Sequence, residues 1–337
     1  MVLSLHSRKF KYLFLFLCFV FILCISLHHL KIEYNMKTGF STTEEITCSS
    51  VVSTSDFCTT TLENQLSRTS ENLEIIENNV QFKNAVFYCI NDDKTLYKYD
   101  AEERIAPASL TKILTACVAY YYIESSKEYT VGTELNLIKP HSSLCLISKG
   151  HILTLKDLVI GLLVASGNDA AYTIAVNTSK ALTGNMNMRD TQAVSFFVDL
   201  MNSFASNIGM RNSHFTNPDG WDDDNQYTTV DDLLILSKYF LSIDELSEIV
   251  SLKNKYVVFA SGQNITWENS NQLLNSDSNY YNKYAVGMKT GTTEKAGNCL
   301  IAVFNKNDKK YIGIVCGCAT TNDRYASMNN LFKRYVK

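Results

Sequence analysis

Strand-like segments stand at both ends of this 337-residue chain and helical segments fill its middle. That order closes only if strands far apart in sequence share one sheet, with helices packed over it. At the first end, Ala85 to Ile90 and Thr95 to Tyr99 flank the turn signal Asn91-Asp92-Asp93, the pattern of a β-hairpin. At the other end, Tyr284 to Met288, Cys299 to Phe304 and Tyr311 to Cys318 read as strands, the last two joined by the polar turn Asn305 to Asp308. In the middle, Pro107-Ala108 leads into an apolar helix from Ser109 to Tyr120, and Thr154 is the expected N-cap of a helix from Leu155 to Ala165. Further helices are expected at Ala193 to Ile208 and Val230 to Leu241, and a short one at Tyr325 to Tyr335 closes the chain. The expected class is α+β, with a single catalytic-sized domain over residues 81–337.

The first 80 residues belong outside that domain. Tyr12 to Leu27 is a nearly unbroken apolar run behind the basic cluster Arg8-Lys9-Lys11, the charge order of an export signal. Its 16 residues fall a little short of a full membrane span, which takes about 20. The run exceeds a usual signal core and lacks an Ala-x-Ala cleavage site, so residues 1–30 read as an uncleaved anchor with its positive end inside. Removal as a signal peptide is the alternative. Leu23 before Cys24 argues against lipid attachment there. Residues 31–80, rich in Ser, Thr, Glu and Asn, form a polar spacer in which Cys48 and Cys58 could pair in an oxidising exterior. The formal net charge of −3 hides a basic start, because residues 1–37 carry +4 and the remainder −7. A nucleic-acid binder would show the opposite balance. Among ten cysteines none forms a Cys-x-x-Cys pair, which gives structural zinc little support.

Three short constellations carry chemistry. In Ser109-x-x-Lys112, residues three apart on a helix share a face, so the lysine can fold back onto the serine hydroxyl. A serine is a weak nucleophile until a base takes its proton, and lysine serves only where burial or positive charge favours its neutral form. No other lysine in the chain has a serine three residues before it. A helix N-terminus also aims free N–H groups at an oxyanion forming beside the serine. Ser166-Gly167-Asn168 lies where the helix from Leu155 ends, and its glycine is expected to supply a left-handed turn that presents a hydroxyl and an amide inward. Ser166 could relay protons between Lys112 and a leaving group, while Asn168 holds a substrate carbonyl. Lys289-Thr290-Gly291 follows an apolar strand and can lie on a sheet edge, open to a peptide laid antiparallel to it. There Gly291 keeps the edge bare, Thr290 offers a hydroxyl, Lys289 offers a charge for a terminal carboxylate, and the Thr292 N–H is a candidate oxyanion donor. A second copy, Lys37-Thr38-Gly39, precedes any structured element and reads as chance.

The ordered set Ser-x-x-Lys, Ser-x-Asn, Lys-Thr-Gly is that of class A β-lactamases and penicillin-binding proteins, whose middle member is Ser-Asp-Asn. From about Asn84 to Lys337 the chain resembles the serine D-alanyl-D-alanine carboxypeptidases, the low-molecular-mass penicillin-binding proteins. The resemblance extends through Pro107 to Lys112, Leu162 to Ala171, Met201-Asn202 with Gly209-Met210, Phe215 to Gly220, and Gly287 to Gly291 with Lys295-Ala296-Gly297. It implies a β-lactamase/transpeptidase-like (penicilloyl-serine transferase) fold, a largely antiparallel sheet flanked by helices with a helical subdomain. It implies acylation of Ser109, Lys112 as general base, Ser166 as proton relay, and substrate binding by Lys289 with Asn168, Thr290, Gly291 and Thr292. The implied ligands are peptidoglycan stem peptides ending in D-Ala-D-Ala and β-lactam antibiotics, outside the bacterial membrane and without cofactor or metal. Many members add a C-terminal β-rich domain and an amphipathic helix, so here tethering is expected from the N-terminal run. Residue 292 is threonine where members often have histidine.

Other readings rank lower. A class A β-lactamase needs a glutamate-activated water, and none of Glu245, Glu248 and Glu268, the glutamates between Ser166 and Lys289, begins a Glu-x-x-Leu-Asn pattern. An inactive peptidoglycan-binding module would not need every polar catalytic position. His6, His28, His29, His141, His151 and His214 form no His-Glu-x-x-His pattern and suit surface or loop roles. Cys316 and Cys318 should share one strand face as small buried hydrophobes, and Asp222 to Asp224 should form a solvated acidic turn.

Overall fold

The computed structural model describes residues 81–337. The apolar run, the spacer with Cys48 and Cys58, Lys37-Thr38-Gly39, and His6, His28 and His29 lie outside the described residues.

Five strands from the two ends of the chain form one antiparallel sheet. They are β1 (Asn84–Cys89), β2 (Lys94–Tyr99), β7 (Ala285–Thr293), β8 (Gly297–Lys306) and β9 (Lys309–Cys318), in spatial order β2-β1-β9-β8-β7. The terminal hairpins therefore meet at the β1–β9 seam, where Asn84 faces Cys316 and Cys89 faces Tyr311. Asn307 and Asp308 both hold positive φ, 53° and 58°, which is the two-residue turn that matches sheet twist between β8 and β9.

Side-chain alternation then builds two cores. Val86, Ile301, Val303 and Ile314 point to the layer that holds the central helices, whereas Phe87, Leu300, Ala302 and Phe304 point to the opposite layer under the last helix. Cys316 and Cys318 do not share a face as expected. Gly317 (φ 72°) and the register slip between Asn298 and Leu300 insert a bulge, so Cys316 enters the first core and Cys318 the second.

The helical layer comprises α1 (Thr111–Tyr122), α2 (Leu155–Leu163), α3 (Asn168–Thr183), α4 (Asp190–Asn207), α5 (Val230–Leu241) and α6 (Asp244–Ser251), with α7 (Thr321–Tyr335) on the other face. Local chemistry sets several starts. Thr154 and Thr229 accept hydrogen bonds from the N–H groups of Asp157 and Asp232, and Thr320 with Asp323 makes a full capping box. Two small antiparallel pairs complete the fold, β3 (Glu128–Thr130) with β4 (Ile152–Thr154) and β5 (Asn254–Val258) with β6 (Asn264–Glu268). His151 and His214 are committed to loop hydrogen bonds, with the Ser148 N–H and the Asn225 carbonyl.

Candidate active site

Three elements converge: the head of α1, the α2–α3 turn, and the edge strand β7. Ala108–Leu110 is a 3₁₀ turn leading straight into α1, so Ser109 stands one turn ahead of Lys112. Ala108 sits at φ 48°, a conformation costly for a residue with a Cβ, and its neighbours leave it no room to relax. A Cβ on Gly220 would lie 1.8 Å from the Ala108 carbonyl oxygen, and one on Gly291 would lie 3.1 Å from the Ala108 Cβ and 3.2 Å from the Ser109 nitrogen. A Cβ at Gly291 would press on the nucleophile turn, so the glycine eases the approach of β7 to it, beyond keeping the edge bare.

The Lys112 ammonium donates to Ser109 Oγ at 2.7 Å and to the Asp219 carbonyl at 2.8 Å. The side chain is fully buried, and burial pushes its pKa down to about 8 even though the carboxylates of Asp219 and Asp169 pull the other way. At pH 7 about a tenth of such lysines are neutral, against about 0.03% at the ordinary value. That is a gain of some hundredfold or more in available base.

Ser166 itself, not Gly167, holds the left-handed conformation, with φ 63° against −66° for the glycine. The glycine is needed for space, since a Cβ there would fall 2.5 Å from Asp169 Oδ1 and 2.7 Å from Cys145. Gly167 is also the N-cap of α3, so Asn168 opens a helix instead of closing a turn. The Ser166 hydroxyl accepts from Lys289 Nζ at 2.8 Å, and Lys289 also donates to the Thr290 carbonyl at 3.0 Å. Lys289 is thus turned inward and buried; burial first, and then the charges of Lys112 and Arg324, hold its pKa well below the ordinary lysine value.

The supporting residues were only partly visible in sequence. Asp219, 1% exposed, accepts from Asn168 Nδ2 at 2.6 Å and from the Trp221 N–H at 3.3 Å, and burial raises its pKa against the pull of Lys112. It lies in the Phe215 to Gly220 block, which gave no hint of this contact. Asp169 accepts from the N–H groups of Cys145 and Ile147 at 2.9 and 3.1 Å, pinning the loop beside Ser166. Arg324, on α7, donates from Nη1 to the Gly291 and Cys299 carbonyls at 3.3 Å each and to Thr292 Oγ1 at 3.2 Å. No sequence signal singled it out.

Of the eight expected site residues, Ser109, Lys112, Ser166 and Lys289 therefore form two hydrogen-bonded pairs, and Asn168 joins Lys112 through Asp219. Thr290 and Gly291 lie buried on β7, Thr290 within 3.0 Å of Ser270 Oγ. Thr292 is exposed and donates its hydroxyl to Asn298 at 3.3 Å.

A family model for D-alanyl-D-alanine carboxypeptidases matches residues 69–320. The chain is 27% identical over 252 residues to the D-alanyl-D-alanine carboxypeptidase DacF of Bacillus subtilis, covering 74% of this chain and 60% of that protein. It is 31% identical over 247 residues to DacC of Escherichia coli, covering 71% and 57%. It thus spans a little under two thirds of the length of these relatives. Among solved structures, a Streptomyces DD-transpeptidase superposes with a TM-score of 0.68 at 25% identity, over 75% of this chain and 96% of that one.

Proposed function

The chain belongs to the D-alanyl-D-alanine carboxypeptidase family and has its α+β, penicillin-binding-protein fold; from that premise we propose that it removes the terminal D-alanine from peptidoglycan stem peptides through an acyl-enzyme on Ser109. The observation that carries the reading is the facing of two serine–lysine pairs, Ser109 with Lys112 at 2.7 Å and Ser166 with Lys289 at 2.8 Å.

Ser109 Oγ attacks the carbonyl carbon of the penultimate D-alanine while neutral Lys112 takes its proton. The N–H groups of Ser109 and Thr292 are assigned to the oxyanion. As the C–N bond breaks, the proton passes from Lys112 by way of Ser166 to the departing D-alanine amine. Water then adds to the ester carbonyl, and cleavage of the C–O bond returns the proton to Ser109 and frees the shortened peptide. Lys289 and Thr290 take the terminal carboxylate, with Gly291 giving the peptide backbone access, and Asn168 holds a substrate carbonyl. A β-lactam would acylate the same serine, but its cleaved amide stays attached and blocks water.

Such peptides lie outside the cell membrane, and the basic-then-apolar order of residues 8–27 supports export and a tether there. Among the described residues no helix is long and apolar enough to cross a membrane.

The test is to treat the protein and its Ser109→Ala variant with a fluorescent penicillin and with a D-Ala-D-Ala peptide. Stable labelling and D-alanine release that both vanish in the variant are expected. Labelling that survives the substitution sinks the nucleophile, and rapid turnover of the penicillin would point to a β-lactamase instead.

A further inference from the structure

Cys299 and Cys316 are free thiols that face each other across the β8–β9 pair. The register runs Asn298 with Cys318 and then Leu300 with Val315, so Cys299 is left opposite the two bulge residues Cys316 and Gly317. Of the two β9 cysteines only Cys316 shares its face: Cys299 and Cys316 enter the first core, whereas Cys318 enters the second. Opposed residues of an antiparallel pair stand about 4.5–5.5 Å apart between Cα atoms, within the roughly 4.4–6.8 Å that a disulfide bridges.

The two thiols are hydrogen-bonded to each other. Cys316 donates to the Cys299 sulfur, and Cys299 in turn donates to the Ala296 carbonyl at 3.4 Å. The contact from Cys316, helped by the Gly317 N–H and the charge of Arg324, pulls the Cys299 pKa down against burial. The same contact, and then burial, pushes the Cys316 pKa well up. Cys299 is thus the sulfur that reaches the thiolate first, the form that attacks a disulfide.

The pair lies directly behind the nucleophile edge. Cys299 is the β8 partner of Gly291, the residue that packs on the Ser109 nitrogen, and Arg324 Nη1 holds both of their carbonyls at 3.3 Å. Both thiols are shut off from solvent, at 0% and 1% exposure. Exchange with an oxidant therefore belongs to the stage at which the β8–β9 hairpin closes, before burial is complete.

We propose that Cys299 and Cys316 are a disulfide-forming pair, oxidised by a small-molecule disulfide as the chain folds and bracing the sheet behind Gly291. The Cys299 thiolate displaces one thiol of the oxidant, and Cys316 then attacks the mixed disulfide. One S–S bond breaks in the oxidant and one forms between Cys299 and Cys316, while the two cysteine protons leave with the two thiols released. An oxidising exterior supplies such oxidants, and the basic-then-apolar order of residues 8–27 supports export there. The bond does not depend on the carboxypeptidase reading.

The experiment refolds the full chain from urea in oxidised glutathione, blocks the remaining thiols with iodoacetamide and maps the tryptic peptides. A cross-link between residues 296–306 and 311–324 is expected, lost in Cys316→Ala and kept in Cys318→Ala. Reduction should lower the urea midpoint of the unaltered protein by about 1 M, the scale of a short closed loop, and Cys316→Ala should lack that drop. Absence of the cross-link, its survival in Cys316→Ala, or a midpoint indifferent to reduction overturns the proposal.

Discussion

The pH dependence of Ser109 acylation measures the burial of Lys112 directly. The base must be neutral, and with a pKa of about 8 its neutral fraction rises from about 1% at pH 6 to one half at pH 8. The acylation rate should therefore climb about fiftyfold over that interval and less than twofold from pH 8 to pH 10. A lysine with the ordinary value would keep gaining about tenfold per unit up to pH 10. The assay is the second-order rate of labelling by a fluorescent penicillin at constant ionic strength, and a rate still climbing tenfold per unit above pH 9 refutes the argument. Stability carries the same signature with a definite sign. Because the folded pKa lies below the unfolded one, the native state binds fewer protons between pH 8 and 10.5, so stability should rise with pH across that window and fall as pH drops through about 8. The full shift corresponds to about 3 kcal/mol. Subtracting the urea midpoints of a Lys112→Met variant, pH by pH, isolates it from other titrating groups, and a difference that stays flat across the window contradicts the burial argument.

Three further substitutions separate space, proton transfer and strand anchoring. Gly220→Ala puts a Cβ 1.8 Å from the Ala108 carbonyl at φ 89°, so a loss of about 3 kcal/mol or more in chemical denaturation and of penicillin labelling is expected; a stably folded, labelling protein would show that the nucleophile turn is not hemmed in. Ser166→Ala removes the acceptor of the Lys289 ammonium and should slow acylation about a hundredfold or more with little change in thermal midpoint, and a loss under tenfold would leave the hydroxyl without its relay role. Arg324→Leu frees two carbonyls and the Thr292 hydroxyl and should cost about 3 kcal/mol; it also removes one of the charges that depress Lys289, so the Lys289 pKa should rise, which NMR of labelled lysine can follow.

The elements readable in sequence were those with local causes. Both hairpins carried their turn residues, and Thr154 stood where a cap was needed. The helix from Val230 to Leu241 kept a clean period, and its bounds were met. α3 escaped because almost every residue from Asn168 to Ser179 is buried, which leaves no amphipathic stripe to read. The two-to-one count at Gly317 escaped for a different reason, since a bulge is decided by the partner strand and not by the strand that bends. The three motifs gave the identity of the reacting side chains but not their orientation. Lys289 read as a charge offered on an edge, yet it is buried against Ser166. Asp219 and Arg324 are long-range partners whose roles exist only after the sheet and the helical layer have closed.

The two buried lysines differ in their counter-charges, and this difference sets up the chemistry. Lys112 has Asp219 and Asp169 to hold part of its charge, whereas the charges acting on Lys289, from Lys112 and Arg324, are both repulsive. Without a ligand, about nine-tenths of Lys112 is protonated at pH 7, the wrong state for a general base. A ligand carboxylate arriving at Lys289 favours the ammonium there, and that charge holds the pKa of Lys112 down through the repulsion between the two lysines. The base is therefore freer with the ligand bound than without it. Acylation by a peptide ester that bears the terminal carboxylate should accordingly show its pH midpoint below that of the matching carboxamide, by about one unit at the separation of a partly screened pair. The two midpoints are measured by single-turnover acylation on the same protein, and their coincidence would mean that a carboxylate at Lys289 leaves Lys112 unaffected.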